Sequence, residues 1–163
     1  MSTWEKSDGN DGVVEFPSGR RVRGRSWHQP VDEYADISVV LTTATPEEFA
    51  ARNTVAMAPE VILISWPDYR VPRRPQQAYS QLRTVFERAR EERVEITCGG
   101  GVGRTGTALA MLAMIDGMDP EAAITFVQEK YNPESATSHA QRGFLMEAVP
   151  RQPADWVDSP DRA

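Results

Sequence analysis

The stretch Cys98-Gly99-Gly100-Gly101-Val102-Gly103-Arg104-Thr105-Gly106 decides how this chain is read. It holds the only cysteine among 163 residues. The β-branched run Val94-Glu95-Ile96-Thr97 precedes it, and the strongly helical segment Ala108 to Ile115 follows. A sulfur, a glycine-dense turn and a guanidinium are thus expected at one strand-to-helix junction. Free backbone N–H groups and the positive end of the helix dipole converge there, which makes the junction an anion site. The same groups that hold a phosphate also stabilise a thiolate, so Cys98 is expected to ionise readily. Curling of the five residues between Cys98 and Arg104 would aim their N–H groups at phosphate oxygens. Glycines at 99, 100, 101 and 103 allow positive φ and remove Cβ atoms that would block close approach. Arg104 adds a planar fork for two oxygens, and Thr105 brings a hydroxyl within reach of the sulfur.

Attack by sulfur on a phosphomonoester would split hydrolysis into phosphorylation and dephosphorylation of the protein. The leaving oxygen then needs a proton. Thirty residues upstream, Trp66-Pro67-Asp68-Tyr69-Arg70-Val71-Pro72 follows the apolar run Val61-Ile62-Leu63-Ile64. A carboxylic acid in a loop after a neighbouring strand suits general acid catalysis, worth about 10²–10⁴-fold in rate.

On these two motifs, Cys98-x5-Arg104-Thr105 and Trp66-Pro67-Asp68, the chain resembles the cysteine-dependent protein tyrosine phosphatase superfamily, in its compact, dual-specificity-like and prokaryotic forms. The resemblance spans residues 20 to 148. It implies a phosphatase-like α/β fold with the phosphate-binding loop between a strand and the central helix. It also implies Cys98 as nucleophile, Asp68 as general acid and then base, and Arg104 as phosphate clamp. The N–H groups of Gly99, Gly100, Gly101, Val102, Gly103 and Arg104 would form the cradle. Gln141, in Ser138-His139-Ala140-Gln141, matches a glutamine that positions the hydrolytic water in many members. Two positions depart from the family pattern: Thr97 stands where a histidine usually precedes the nucleophile, and Arg70 where the upstream loop usually has glycine. Thr97 and Arg70 motivate an alternative, a phosphate-binding pseudophosphatase that reads phosphorylated partners without hydrolysing them.

Other readings of the same residues fit less. Gly101-Val102-Gly103-Arg104-Thr105-Gly106 satisfies a dinucleotide fingerprint, but the segments after it read as helices rather than a continuing βαβ series. A nucleotide P-loop would need Gly at 98 and Lys at 104. A lone cysteine is commonly a small buried residue, yet a core position has no use for Arg104, Thr105 and four glycines. Asp68 alone could be a turn former, and Gln141 an exposed helix residue. A sulfur-transfer or arsenate-reducing role leaves Asp68 without a part. His28 and His139 with one cysteine make a poor metal set, so both read as structural or surface residues, and no metal or cofactor is expected.

Composition is that of one ordinary domain: 40% hydrophobic residues and a formal charge of −6. That charge disfavours nucleic acid as the main partner. No run has the length of a membrane span, the start lacks an apolar signal core, and one cysteine suits a reducing cytoplasm, so a cytoplasmic protein acting on phosphorylated protein or another phosphomonoester is expected. Arginine dominates the cations, clustering at Arg20-Arg21-Val22-Arg23-Gly24-Arg25 and Arg70-Val71-Pro72-Arg73-Arg74. The first cluster reads as solvated surface; the second, beside Asp68, is placed to attract an anionic substrate.

The domain is expected over residues 13–149, with loose termini at 1–12 and 150–163. Strands are predicted near Val13–Phe16, Arg21–Arg23, Ile37–Thr42, Val61–Ile64 and Val94–Thr97. Helices are predicted to begin at Thr45-Pro46 and Arg74-Pro75, to fill Arg104 to Asp116, to follow the cap Asp119-Pro120, and to run from Ala136 to Ala148. Alternating strands and helices imply a central, mostly parallel sheet flanked by helices, with the glycine turn at the carboxyl end of a strand.

Overall fold

The computed structural model describes residues 3–9, 11–52, 58–136 and 138–147. The chain runs β1 (Val13–Glu15), β2 (Arg21–Ser26), β3 (Ile37–Thr42), α1 (Pro46–Arg52), β4 (Glu60–Ser65), α2 (Pro75–Arg88), β5 (Val94–Cys98), α3 (Gly103–Ile115), α4 (Pro120–Lys130) and α5 (His139–Glu147). The strands form one sheet in the order β1-β2-β5-β3-β4. Only β1 pairs antiparallel; the other three pairings are parallel. The expected α/β architecture is therefore the observed one.

Each strand's place follows from its composition. Ile37–Thr42 is buried at every position and lies inside the sheet, whereas Glu60–Ser65, with exposed ends, forms an edge. β5 runs between β2 and β3 and delivers Cys98 at its carboxyl end. The helices start where local chemistry satisfies free N–H groups. Thr45 Oγ1 accepts from Glu48 N while Glu48 Oε1 accepts from Thr45 N, a reciprocal cap ahead of α1. Asp119 caps α4 through Ala122 N, with Pro120 in the first turn. α3 is buried from Arg104 to Ala113, as expected of a nearly all-apolar central helix. α2 turns Ala78, Leu82, Val85 and Phe86 inward.

Three expectations change. The first arginine cluster is not all solvated surface: Arg23 and Arg25 are buried and share the buried carboxylate of Glu95. The parallel register of β2 on β5 sets Arg23 opposite Glu95, and Arg25 reaches the same group with Nε at 2.8 Å. β2 also runs three residues further than predicted, to Ser26, because Gly24–Ser26 pair with Ile96–Cys98. The segment before β1, expected to be loose, is packed at Trp4, which is buried, donates Nε1 to Val94 O at 2.7 Å and lies against the Arg23 guanidinium. The expected loose tail, 150–163, falls outside the described residues.

Candidate active site

The turn between β5 and α3 closes on the sulfur. Cys98 is buried, and its Sγ accepts hydrogen bonds from Gly101 N at 3.2 Å and Thr105 Oγ1 at 3.1 Å. The first bond needs the glycine: Gly101 has φ +72°, and a Cβ there would stand 2.4 Å from the Ser26 backbone nitrogen. Positive φ was expected to be available to all four loop glycines, but Gly101 is the one that uses it. Gly99 faces the Trp27 ring and Arg104 Nη2, Gly103 faces the Gln141 amide, and Gly100 borders open space.

Neighbouring elements hold the loop from outside. Ser26 Oγ donates to Gly99 O at 2.6 Å, and Trp27 N donates to Cys98 O at 3.2 Å. The Tyr131 hydroxyl donates to Gly101 O, tying the loop to the end of α4. Burial, with the charge of Cys98 added, pushes the Tyr131 phenol up, so it stays a donor. Its ring lies where a Cβ at Gly24 would be, which explains a glycine inside β2. α3 begins at Gly103 with no side-chain cap, leaving its first N–H groups to the loop's interior.

Arg104 is buried along one edge of this turn. Nη1 donates to Leu41 O at 3.0 Å and to Trp66 O at 3.1 Å, which ties the guanidinium to the ends of β3 and β4. Nε is buried without a hydrogen-bond partner and lies 3.5 Å from Asp68 Oδ1. A buried, unpartnered guanidinium donor is costly unless an anion completes it.

Asp68 stands on the Trp66–Pro72 loop, where the sequence puts it. Trp66 is fully buried and donates Nε1 to Arg70 O at 2.7 Å; Arg70 N donates to Pro67 O at 3.2 Å, closing a turn over Asp68 and Tyr69. The left-handed residue of this turn is Tyr69, φ 62°, and not Arg70. Arg70 therefore occupies its position without backbone strain. Gln141, which could have been an exposed helix residue, is 1% exposed with Nε2 unpartnered, beside Gly103. Thr97 Oγ1 donates to Val39 O at 3.4 Å, fastening the residue before the cysteine to β3. His28 and His139 are exposed.

The turn thus unites Cys98, Arg104 and Thr105 with Asp68 and Gln141, all five named from the sequence. Sequence reasoning missed Ser26, Trp27 and Tyr131, which support the loop from behind. The available signal was weak: Trp27 follows β2, whose adjacency to β5 becomes known only from the sheet.

A cysteine cradled by a strand–turn–helix anion loop with an arginine six residues on defines the class of cysteine phosphatase-like domains. The model of the DSP-PTPase phosphatase domain of the Swiss Army Knife proteins (PTP-SAK) matches residues 23–151, and the chain belongs to this family. Among solved structures it is similar to Tk-PTP in its active form, with 27% identity and a TM-score of 0.61, over 86% of this chain and 98% of that one. It shares its fold with human DUSP28 at 16% identity and a TM-score of 0.55, over 85% and 97% of the two chains. Kinase associated phosphatase, solved with its catalytic-site cysteine substituted by serine, is 18% identical with a TM-score of 0.51, over 69% and 68%. No curated protein matches the sequence significantly. No helix among the described residues is long and apolar enough to cross a membrane.

Proposed function

We propose that the protein is a phosphomonoester hydrolase of the tyrosine or dual-specificity type, working through a cysteinyl-phosphate intermediate. The observation that carries this reading is the convergence on one buried sulfur of the Gly101 N–H and the Thr105 hydroxyl, with a spare buried Arg104 donor alongside.

In the first step the Cys98 thiolate attacks phosphorus: an S–P bond forms and the P–O bond to the leaving group breaks. Asp68 passes its proton to the departing oxygen. The loop N–H groups and the free side of the Arg104 fork hold the three other oxygens, whose charge grows in the transition state. Asp68, now a carboxylate, takes a proton from water as the water oxygen attacks phosphorus and the S–P bond breaks. The unpartnered amide of Gln141 beside Gly103 supports its role in orienting that water. The Thr105 hydroxyl stabilises the sulfur as it leaves. This chemistry needs side chains and water and takes no cofactor.

The substrate is anionic, and the chain after Asp68 is cationic. Arg70, Arg73 and Arg74 follow Asp68 in the chain, and among the described residues their side chains form no ion pair. Attraction of a phosphorylated protein to these arginines is expected to add to the pull of the loop itself.

Hydrolysis of p-nitrophenyl phosphate in excess chelator tests the reading. Turnover by the intact protein and none by Cys98→Ser is the expected result; turnover surviving in Cys98→Ser excludes a cysteinyl intermediate. Vanadate binding with no turnover over a broad pH range is instead the behaviour of a pseudophosphatase that reads phosphorylated partners.

A further inference from the structure

We infer that Ser138 is a positioning residue whose hydroxyl fastens the Trp66–Pro72 loop to the start of α5, so that Asp68 and Gln141 are held together over the phosphate loop. Ser138 Oγ donates to the Tyr69 carbonyl at 2.9 Å and accepts from Gln141 N at 3.1 Å. A hydroxyl has one proton to give and two lone pairs to fill, so one serine makes both bonds at once. Its two partners are the neighbour of the proposed acid and the residue proposed to orient water.

Three features make this bond more than a helix cap. Among the described residues, the hydrogen bonds of residues 67–70 other than this one stay within the loop, as Trp66 to Arg70, Arg70 to Pro67 and Tyr69 to Asp68. The Ser138 bond is thus the hydrogen bond that joins the loop's tip to another element, beside the Asp68–Arg104 ion pair. The described non-glycine residues with positive φ are Tyr69, at 62°, which accepts this bond, and Ala136, at 53°, two residues before Ser138 in the chain. Residues other than glycine hold such conformations at a cost, and that cost is tolerated where surrounding bonds over-determine the backbone. Finally, Tyr69 itself is 73% exposed, so its side chain is not what anchors the tip. With the latch made, Asp68 Oδ1 lies 3.5 Å from Arg104 Nε; with it broken, the tip keeps only its own turn and that ion pair, and Tyr69 and Asp68 are held less firmly.

Ser138→Asp separates the latch from the cap, because a carboxylate still accepts from Gln141 N but cannot donate to Tyr69 O. Hydrogen exchange of the whole chain is expected to show the Tyr69 and Arg70 amides opening about three- to tenfold faster in Ser138→Asp, the size of one lost hydrogen bond. The α5 amides should stay unchanged, and Ser138→Thr, which keeps the hydroxyl, should match the parent. Unchanged exchange at 69–70, or an equal rise along all of α5, overturns the inference. A second arm rests on the proposed function. With phenyl phosphate, whose leaving group needs protonation, Ser138→Asp should lower kcat about three- to tenfold, yet add little in an Asp68→Asn background. Equal losses in both backgrounds overturn the latch. Absence of turnover by the parent protein counts against the proposed function alone, and the exchange result still decides the latch.

Discussion

Arg104 Nε lies 3.5 Å from Asp68 Oδ1, yet this buried nitrogen makes no hydrogen bond. The other end of the guanidinium is spoken for by Leu41 O and Trp66 O. Those two carbonyls fix the plane of the fork, and the unpartnered edge is left for an oxyanion. Lysine could not reproduce this division, since its single ammonium cannot bond both carbonyls and still present a planar pair of donors. Arg104→Lys is therefore expected to weaken inhibition by vanadate by about 10- to 100-fold, the effect of one or two charge-assisted hydrogen bonds. The inhibition constant against p-nitrophenyl phosphate measures it, and an unchanged constant removes Arg104 as the clamp.

Thr105 touches the sulfur directly, 3.1 Å from Oγ1 to Sγ, and both groups are buried. Its donation matters most when sulfur is the leaving group, in breakdown of the intermediate. Thr105→Val removes the donor at nearly constant volume and is expected to slow the second step about tenfold, the order of one hydrogen bond to a charged group. Rapid-mixing kinetics should then show a burst of nitrophenol followed by slow turnover, while Thr105→Ser keeps the parent rate. A Val variant with equal slowing of burst and steady phases would place the hydroxyl elsewhere in the mechanism.

The two neighbouring glycines of the loop are expected to differ sharply. A Cβ at Gly100 meets nothing within 4 Å, whereas at Gly101 it would stand 2.4 Å from the Ser26 backbone nitrogen with φ at +72°. Gly101→Ala must push the loop off β2 and break the Gly101 N to Sγ bond, so loss of both vanadate binding and turnover by at least about tenfold is expected. Gly100→Ala should remain within about twofold of the parent. Parallel vanadate titrations of the two variants check this; similar behaviour of the pair contradicts the loop geometry.

What the sequence made legible was local. The Thr45-Pro46 and Asp119-Pro120 caps, the apolar face of α2 and the all-apolar α3 each depend on residues a few positions apart, and each helix begins within a few residues of its expected place. Cys98, Arg104 and Thr105 were legible for the same reason, lying on one turn. Asp68 is legible as a carboxylic acid in a loop after an apolar strand, and the resemblance adds its role opposite Cys98; Gln141 comes through the resemblance alone, since nothing local says which helix faces the cysteine. What stayed hidden depends on pairing at long range. Arg23 meets Glu95 across 72 positions, and only the β2–β5 register turns two apparent surface arginines into a buried network. One trace was present: Glu95 is the lone charge inside a buried β-branched strand, and such a group needs a buried partner. Tyr131 and Ser138 left no such trace, because a tyrosine ending a helix and a serine beginning one are ordinary.

That buried network yields a prediction about stability and acid. Burial by itself raises the Glu95 carboxyl, but hydrogen bonds from Arg25 and Arg23, with their charges, outweigh it and hold the group below its ordinary value. A carboxyl with a depressed folded value contributes stability that is fully present above the unfolded value, about 4.3. The contribution is lost as pH falls through the folded value, because the unfolded chain binds the proton first. Glu95→Gln leaves two arginines buried against a neutral amide, so a loss of about 3–5 kcal/mol is expected at neutral pH. Urea unfolding measures the loss. Below pH about 4.3 the gap between parent and variant should narrow, since protonation neutralises the parent's carboxyl as well. A gap that stayed constant down to the acid transition would mean that Glu95 owes its effect to packing and not to charge.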